Sequence, residues 1–414
     1  MYAELKTAPL GTMTKSASIV CQTAKLGVIS EGNAVTPYDL ERRRVQRGQS
    51  ARAKRWKLRE AAQDILGGRI CQCGTRAVPN REIAVRRKDG RAYYSGLRSC
   101  GSVWTCAVCS AKISKLRADE LRRGLGNWLD RGGIITMMTL TVQHERSDDL
   151  SDLLERMSKA QRWFYSGRWY QTFREKYGII GSVRNLECTW GQRSGWHPHS
   201  HVLLLGDKKI DHRELYERWA KACEKYGLWA SWEAFQHGVS DTTELGLESK
   251  VEGVSKYLTK MFELDDKTTW TAAEELTLAH YKVSNTQRFT PYDLLRATIE
   301  TGDTLYSHRF EQFAKAYKGK RQLYWSKGLR DLLGLGTDQT DETLANAEDE
   351  GGEIVLIIQR PIWRYVLRAG LRKDLLEWVE TYGAAHVQDF LSAAVMEGLH
   401  ARAAPKTWKC SKPP

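Results

Sequence analysis

The chain has 414 residues, 41% hydrophobic and 28% charged, which suffices for two or three domains with buried cores and excludes a disordered tail or a small disulfide scaffold. Its 64 Lys and Arg against 50 Asp and Glu leave a net charge of +14, the signature of a polyanionic partner such as nucleic acid or an acidic membrane surface. No apolar run approaches the roughly 20 residues that span a bilayer, and no signal-peptide h-region opens the chain. No membrane partner and a cytoplasmic location are therefore expected.

In chain order, residues 1–40 lack periodicity and read as a flexible arm. Residues 41–68 read as a basic helix that ends at Gly67-Gly68. Its Arg42, Arg43, Arg44, Arg47, Arg52, Lys54, Arg55, Lys57 and Arg59 are candidate phosphate contacts. Residues 69–118 hold a cysteine cluster, and Lys112–Gly132 has the spacing of a helix, with Leu116, Leu121, Leu125 and Trp128 on it. GGIITMMTLTVQH then reads as a strand. A helix capped by Ser147, with Leu150, Leu153, Leu154, Met157 and Trp163 on one face, should run to Gly178.

Two strands, IIGSVRNLECTW and HSHVLLL, are joined by the polar turn GQRSGWHP and followed by helices over Asp211–Tyr226 and Val251–Phe262. This succession predicts an α+β fold whose central antiparallel sheet carries helices on one face. Residues 267–335 read as a helical extension of this domain, 336–352 as an acidic linker, and 353–414 as a small α/β segment: strand EIVLIIQ, two or three helices, and a frayed end from Ala404.

The sharpest chemical feature is GWHPHSHVLLL. On a strand, His199 and His201 share a face while Ser200, Val202 and Leu204 point the other way. Glu187, on the preceding strand of the same hairpin, can supply a third ligand, and His197 is a further possibility. Two His and one carboxylate with open positions suit Mg²⁺ or Mn²⁺ holding a phosphate oxygen, and suit Zn²⁺ as well. The zinc-protease pattern of His at i and i+4 on a helix is not present. In VEGVSKYLTKM, Lys256 and Lys260 flank Tyr257, and ammonium groups beside a phenol favour its nucleophilic form.

The cysteines run Cys71-x-Cys73, then Cys100, Cys106 and Cys109. Paired cysteines at either end of a β-rich loop are the arrangement of a zinc ribbon, in which four thiolates close a structural site. Five candidates compete here for four places.

MMTLT, GWHPHSHVLLL and VSKYLTK, in that order, resemble the three motifs of plasmid rolling-circle replication initiators of the HUH endonuclease superfamily. FTPYDLL and YKGKRQLYWSKGLR look like downstream segments of the same initiators, particularly those of actinobacterial plasmids, so the resemblance runs from about Cys73 to Leu335. Ser200 stands where the superfamily usually has a hydrophobe. The resemblance implies an HUH nicking domain over 119–266 in which Tyr257 attacks a phosphodiester of origin DNA. It stays linked to the 5′ phosphate and releases a 3′-OH primer, assisted by Lys260 and by the metal on His199, His201 and Glu187. Host helicase and polymerase would be partners.

The mirrored pairs Cys73-Gly74 and Cys100-Gly101, together with this resemblance, favour Cys73, Cys100, Cys106 and Cys109 as structural zinc ligands, with Cys71 as the alternative. Single-tyrosine initiators usually carry a carboxylate one helical turn before the tyrosine. Gly253 occupies that place here, and Glu248, Glu252, Glu274 and Glu275 are weak substitutes. Two other classes compete: a rolling-circle transposase, which often has paired tyrosines, and a non-catalytic zinc-containing regulator, which would leave Tyr257 among its lysines unexplained.

Residues 41–117 contain 20 Lys and Arg and only 5 Asp and Glu, so they hold the whole net charge and leave the rest near neutral. The basic helix and cysteine module are therefore expected to grip duplex DNA, and the near-neutral domain to act on one phosphate.

Overall fold

A helix with nine cations among its residues needs acids or solvent around it, and α1 (Pro37–Leu66) finds some of each. The computed structural model describes residues 37–242, 288–347, 352–389 and 391, with side chains from residue 51 onward. The arm over 1–40 lies almost wholly outside these residues, as do the predicted helix Val251–Phe262, the tail from Ala404, and Glu248, Glu252, Glu274 and Glu275.

After α1 and a short 3-10 turn (Gly68–Gln72) comes a hairpin, β1 (Ile83–Lys88) and β2 (Arg91–Ser95), and then α2 (Ala107–Leu129). β3 (Ile134–Leu140) leads to α3 (Leu150–Phe164) and α4 (Gly167–Tyr177). The predicted single helix to Gly178 is thus two helices: Ser166 is extended and Gly167 left-handed (φ 78°), which stops one helix and starts the next. Its cap is Asp149, whose carboxylate accepts from the Asp152 N–H at 3.0 Å, rather than Ser147.

β4 (Gly181–Gly191) and β5 (Gly195–Gly206) form the long hairpin. The turn between them is shorter than the predicted GQRSGWHP, because Gly191 pairs with Gly195 and His197 already lies in β5. Gly195 (φ 78°) permits this, since a Cβ there would strike the backbone of Glu145 and Arg146. α5 (His212–Lys225), α6 (Trp232–His237) and the short β6 (Val239–Asp241) follow.

Beyond residue 287, β7 (Arg288–Phe289), α7 (Pro291–Thr301), α8 (Thr304–Ala316), β8 (Leu323–Trp325) and α9 (Leu329–Leu332) complete the main body. The expected helical extension therefore also supplies strands to the central sheet. That sheet has six antiparallel strands in the order β6-β3-β5-β4-β7, with β8 pairing β4.

Helices cover both faces of this sheet, which corrects the one-face expectation. Met138, Leu140, Val202 and Leu204 pack with α3 and α5, whereas Ile135, Val183, Leu203 and Leu205 pack with Leu121, Leu125 and Leu129 of α2. The cause is legible in Val202-Leu203-Leu204-Leu205, all fully buried: an unbroken apolar run has no solvent face.

The segment read as an acidic linker carries α10 (Asp341–Asn346), with Leu344 and Ala345 buried. Its acids are paired in place: Arg117 reaches Asp338 at 2.6 Å and Asp341 at 3.4 Å, and Arg69 reaches Glu342 at 3.4 Å. The last segment is β9 (Glu353–Ile358), α11 (Arg360–Arg368) and α12 (Arg372–Tyr382). β9 pairs antiparallel with β1, giving a three-stranded sheet in the order β2-β1-β9. Ile83, Val85, Leu356, Ile358, Trp363, Val366 and Leu375 form its own apolar core, with Trp56 of α1 packed against it.

Candidate functional site

The β4–β5 register sets Glu187 opposite His199 and Asn185 opposite His201, on one face of the hairpin. Ser200 points to the other face, where it accepts from Gln161 Nε2 at 2.7 Å, so a polar residue there is accommodated by a partner on α3. Both imidazole Nε2 atoms lie 3.1 Å from the same carboxylate oxygen, Glu187 Oε2. His199 Nδ1 donates to the His197 carbonyl at 3.2 Å, so in the neutral ring Nε2 carries the lone pair. His201 Nδ1 is held by Thr139 Oγ1 at 3.0 Å.

The lone pair of a neutral His199 set against that carboxylate oxygen is repelled unless a proton or a cation lies between them. Two ligands about 2.1 Å from one ion at right angles are about 3.0 Å apart, close to the spacing found. The donor set therefore fits a divalent metal. Burial pushes the Glu187 carboxyl up, but the charges and hydrogen bonds of His201 and His199 outweigh it and hold it at about 2. Burial lowers the His201 pKa, against the opposing pull of the Glu187 carboxylate. An ionised carboxylate and neutral imidazoles are the ligand-competent forms.

Several supports were not legible in the sequence. Asn185 Nδ2 donates to Glu187 Oε1 at 2.8 Å, and the buried Tyr317 hydroxyl donates to the Glu187 carbonyl at 3.0 Å across 130 residues. Thr139 was visible only as part of a strand. Its contact with His201 follows from β3 pairing with β5, Thr139 opposite His201. His197 stands apart from the ligand trio: its Nδ1 is 2.8 Å from His144 Nε2.

A second cluster gathers Cys73, Cys100, Cys106 and Cys109, all buried. Cys73 ends the 3-10 turn, Cys100 follows β2, Cys106 caps α2 and Cys109 sits in its first turn. Sulfur separations are 3.5 Å (Cys73–Cys109), 3.7 Å (Cys100–Cys109) and 3.8 Å (Cys73–Cys106). Four ligands 2.3 Å from a tetrahedral zinc lie about 3.8 Å apart, so this set also fits. Hydrogen bonds from Cys100, Cys106 and Cys109 push the Cys73 thiol far down, and Arg59 adds to this. Cys71 is outside the cluster, its sulfur 3.5 Å from the Gln63 carbonyl. The arrangement differs from a ribbon with a cysteine pair at each end, since the second pair sits on a helix start, where the dipole favours thiolates.

The candidate DNA-binding residues divide. Lys54 and Lys57 are exposed and Arg55 is half-buried. Arg52 instead makes a bidentate pair with Glu380 at 2.8 and 2.9 Å, and Arg59 is buried against Trp56 and Gly74. Arg52 is turned inward because the last segment docks on that face of α1, and Arg59 because the cysteine module packs beside it. The hairpin tip presents further exposed cations, Arg87, Lys88 and Arg91. The side chains of Arg42, Arg43, Arg44 and Arg47 lie outside the described residues, as do Lys256, Tyr257 and Lys260.

An α+β chain with a two-histidine, one-carboxylate ligand set on an antiparallel hairpin belongs to a recognisable class. The family model described as "Replication protein" matches residues 97–366, and the chain belongs to that family. It is 27% identical over 355 residues to "Protein rep" of Streptomyces lividans, covering 70% of this chain and 76% of that protein. It is 30% identical over 161 residues to a "Neomycin resistance protein" of Streptomyces cyanogenus, covering 31% of this chain and 37% of that protein. No solved structure matches. Among the described residues, no helix is long and apolar enough to cross a membrane.

Proposed function

We propose that this replication protein initiates rolling-circle replication of a plasmid by nicking one strand at the origin. The observation that carries the reading is the convergence of His199 Nε2 and His201 Nε2 on Glu187 Oε2 at 3.1 Å, on the central hairpin of a chain in this family. The Tyr257 oxygen attacks the scissile phosphorus, the P–O3′ bond breaks, and the chain retains a 5′-phosphotyrosine while a 3′-OH is released to prime synthesis. The phosphodiester energy is conserved in the link, so nicking needs no ATP, and the reverse attack rejoins strands at termination.

Glu187, His199 and His201 would hold a Mg²⁺ or Mn²⁺ ion, which when bound would supply positive charge to the scissile phosphate. Thr139, Asn185 and Tyr317 fix the ligands, and Lys256 and Lys260 favour the phenolate. Cys73, Cys100, Cys106 and Cys109 would hold a structural zinc, and four thiolate ligands would leave no open position for chemistry. Lys54, Lys57 and the hairpin cations Arg87, Lys88 and Arg91 contact duplex phosphates. Host helicase and polymerase then extend the primer in the cytoplasm.

The test is a Tyr257→Phe variant incubated with labelled single-stranded origin oligonucleotide and Mn²⁺. Wild type should form a covalent protein–DNA adduct and the variant none. An adduct with the variant removes Tyr257 as nucleophile, and no adduct with wild type removes the nicking reading.

A further inference from the structure

Arg59 is buried to 2% exposure, and its Nε and Nη2 have no hydrogen-bond acceptor among the described residues. A buried cation without compensation is strongly destabilising, so this position calls for negative charge nearby. The guanidinium lies 4.5 Å from the Trp56 ring centre and fills the space that a Cβ on Gly74 would take. Gly74 follows Cys73, which brings the cation against the thiol cluster; its φ of 65° independently favours glycine there.

A second buried cation approaches from 300 residues further along the chain. Arg372, at the start of α12, is 5% exposed, with Nη1 3.4 Å from the Gly74 carbonyl and Nη2 2.8 Å from Glu60. Burial pushes its pKa down to about 10, and the like charge of Arg59 adds to the shift. Four neutral thiols would give Arg59 no counter-charge, whereas Arg372 already has Glu60. A divalent metal on four thiolates carries a net charge of −2, which Arg59 offsets together with Arg372, the latter shared with Glu60.

We infer that Arg59 and Arg372 are the charge partners of a tetrathiolate metal centre, and that metal loading latches the 353–389 segment onto the cysteine module. This rests on the metal reading of the four cysteines given above. The rest of the latch sits at the same place: Trp363 Nε1 donates to the Thr75 carbonyl at 2.7 Å, the Tyr94 hydroxyl donates to the Arg372 carbonyl at 2.8 Å, and Arg52 holds Glu380. Thr75 is two residues from Cys73, so displacement of the thiolates on metal loss reaches Trp363 directly.

The experiment uses the full chain. Co²⁺ is first loaded in place of zinc, and thiolate-to-metal charge-transfer bands report whether the four cysteines bind metal at all. Zn²⁺ affinity is then measured by chelator competition for wild type, Arg59→Lys, Arg59→Gln and Arg372→Gln, and hydrogen exchange over 360–382 is followed with and without metal. Expected are at least a tenfold loss of affinity in each Gln variant, near-wild-type affinity in Arg59→Lys, and at least a tenfold faster exchange over 360–382 when metal is stripped from wild type. Affinity within twofold of wild type in Arg59→Gln overturns the inference. So does equal loss in the Lys and Gln variants, which assigns Arg59 to packing, and so does exchange that ignores the metal. Absence of the Co²⁺ bands in wild type removes the metal reading itself and the latch with it. The exchange comparison needs no variant and stands if one fails to fold.

Discussion

Thr139 Oγ1 lies 3.0 Å from His201 Nδ1, on the strand directly beside that of the histidine. A side chain that looks like an ordinary strand hydroxyl thereby fixes the ring plane of a metal ligand. Removal of such an outer partner typically costs 10–100-fold in metal affinity. Thr139→Val keeps the shape and loses the hydrogen bond, so Mn²⁺ affinity, read by calorimetry, should fall about tenfold while thermal stability changes by less than ~1.5 kcal/mol. Unchanged Mn²⁺ affinity would remove Thr139 from the site.

His199→Ala and His201→Ala should abolish strand cleavage and leave duplex binding intact. The ligand trio is on the central sheet, away in sequence from the basic helix and hairpin. Gel-shift and cleavage assays on the same preparations separate the two functions. Loss of both in a folded protein contradicts the division.

The cations of α1 should differ in their salt signature. Each phosphate contact adds about 0.9 to the slope of log affinity against log salt, so Lys54→Gln with Lys57→Gln should flatten duplex binding measurably. Arg52→Gln should leave the slope alone and instead destabilise the protein by about 3 kcal/mol, because Glu380, with 2% of its side chain exposed, loses its bidentate partner. A flattened slope in Arg52→Gln would refute the inward role.

Acid should act at Asp241. Burial pushes its carboxyl up, but hydrogen bonds from His212, at 2.9 Å, and from Thr136 outweigh it and hold the group below the ordinary carboxylate range. A depressed pKa stabilises the fold above the unfolded value and ceases to do so as pH falls through the folded one. Asp241→Asn should therefore cost about 1.5–3 kcal/mol in urea unfolding at pH 5 and 7, with the gap to wild type closing below about pH 4. A gap that is constant down to pH 3 would show that the charge is irrelevant.

The sequence by itself determined the local chemistry. Period-two placement put His199 and His201 on one face, the neighbouring strand offered Glu187, and the cysteine spacing narrowed the thiols to five, of which four converge. These are short-range facts, set by backbone geometry over a few residues. The apolar run Val202–Leu205 also held the signal of a sheet buried on both faces.

Tertiary structure alone decided which cations face solvent and which are structural. Arg52 and Arg59 are chemically equivalent to Lys54 and Lys57 in a linear reading. Only the docking of Glu380, some 300 residues away, turns Arg52 inward, and Arg59 is buried against Trp56 and Gly74. The same holds for Tyr317, which reaches Glu187 across 130 residues, and for the acids of 338–341, which Arg117 converts from a linker into a packed strap. Charge acts through space, with a strength set by burial and distance, and neither quantity is fixed by position along the chain.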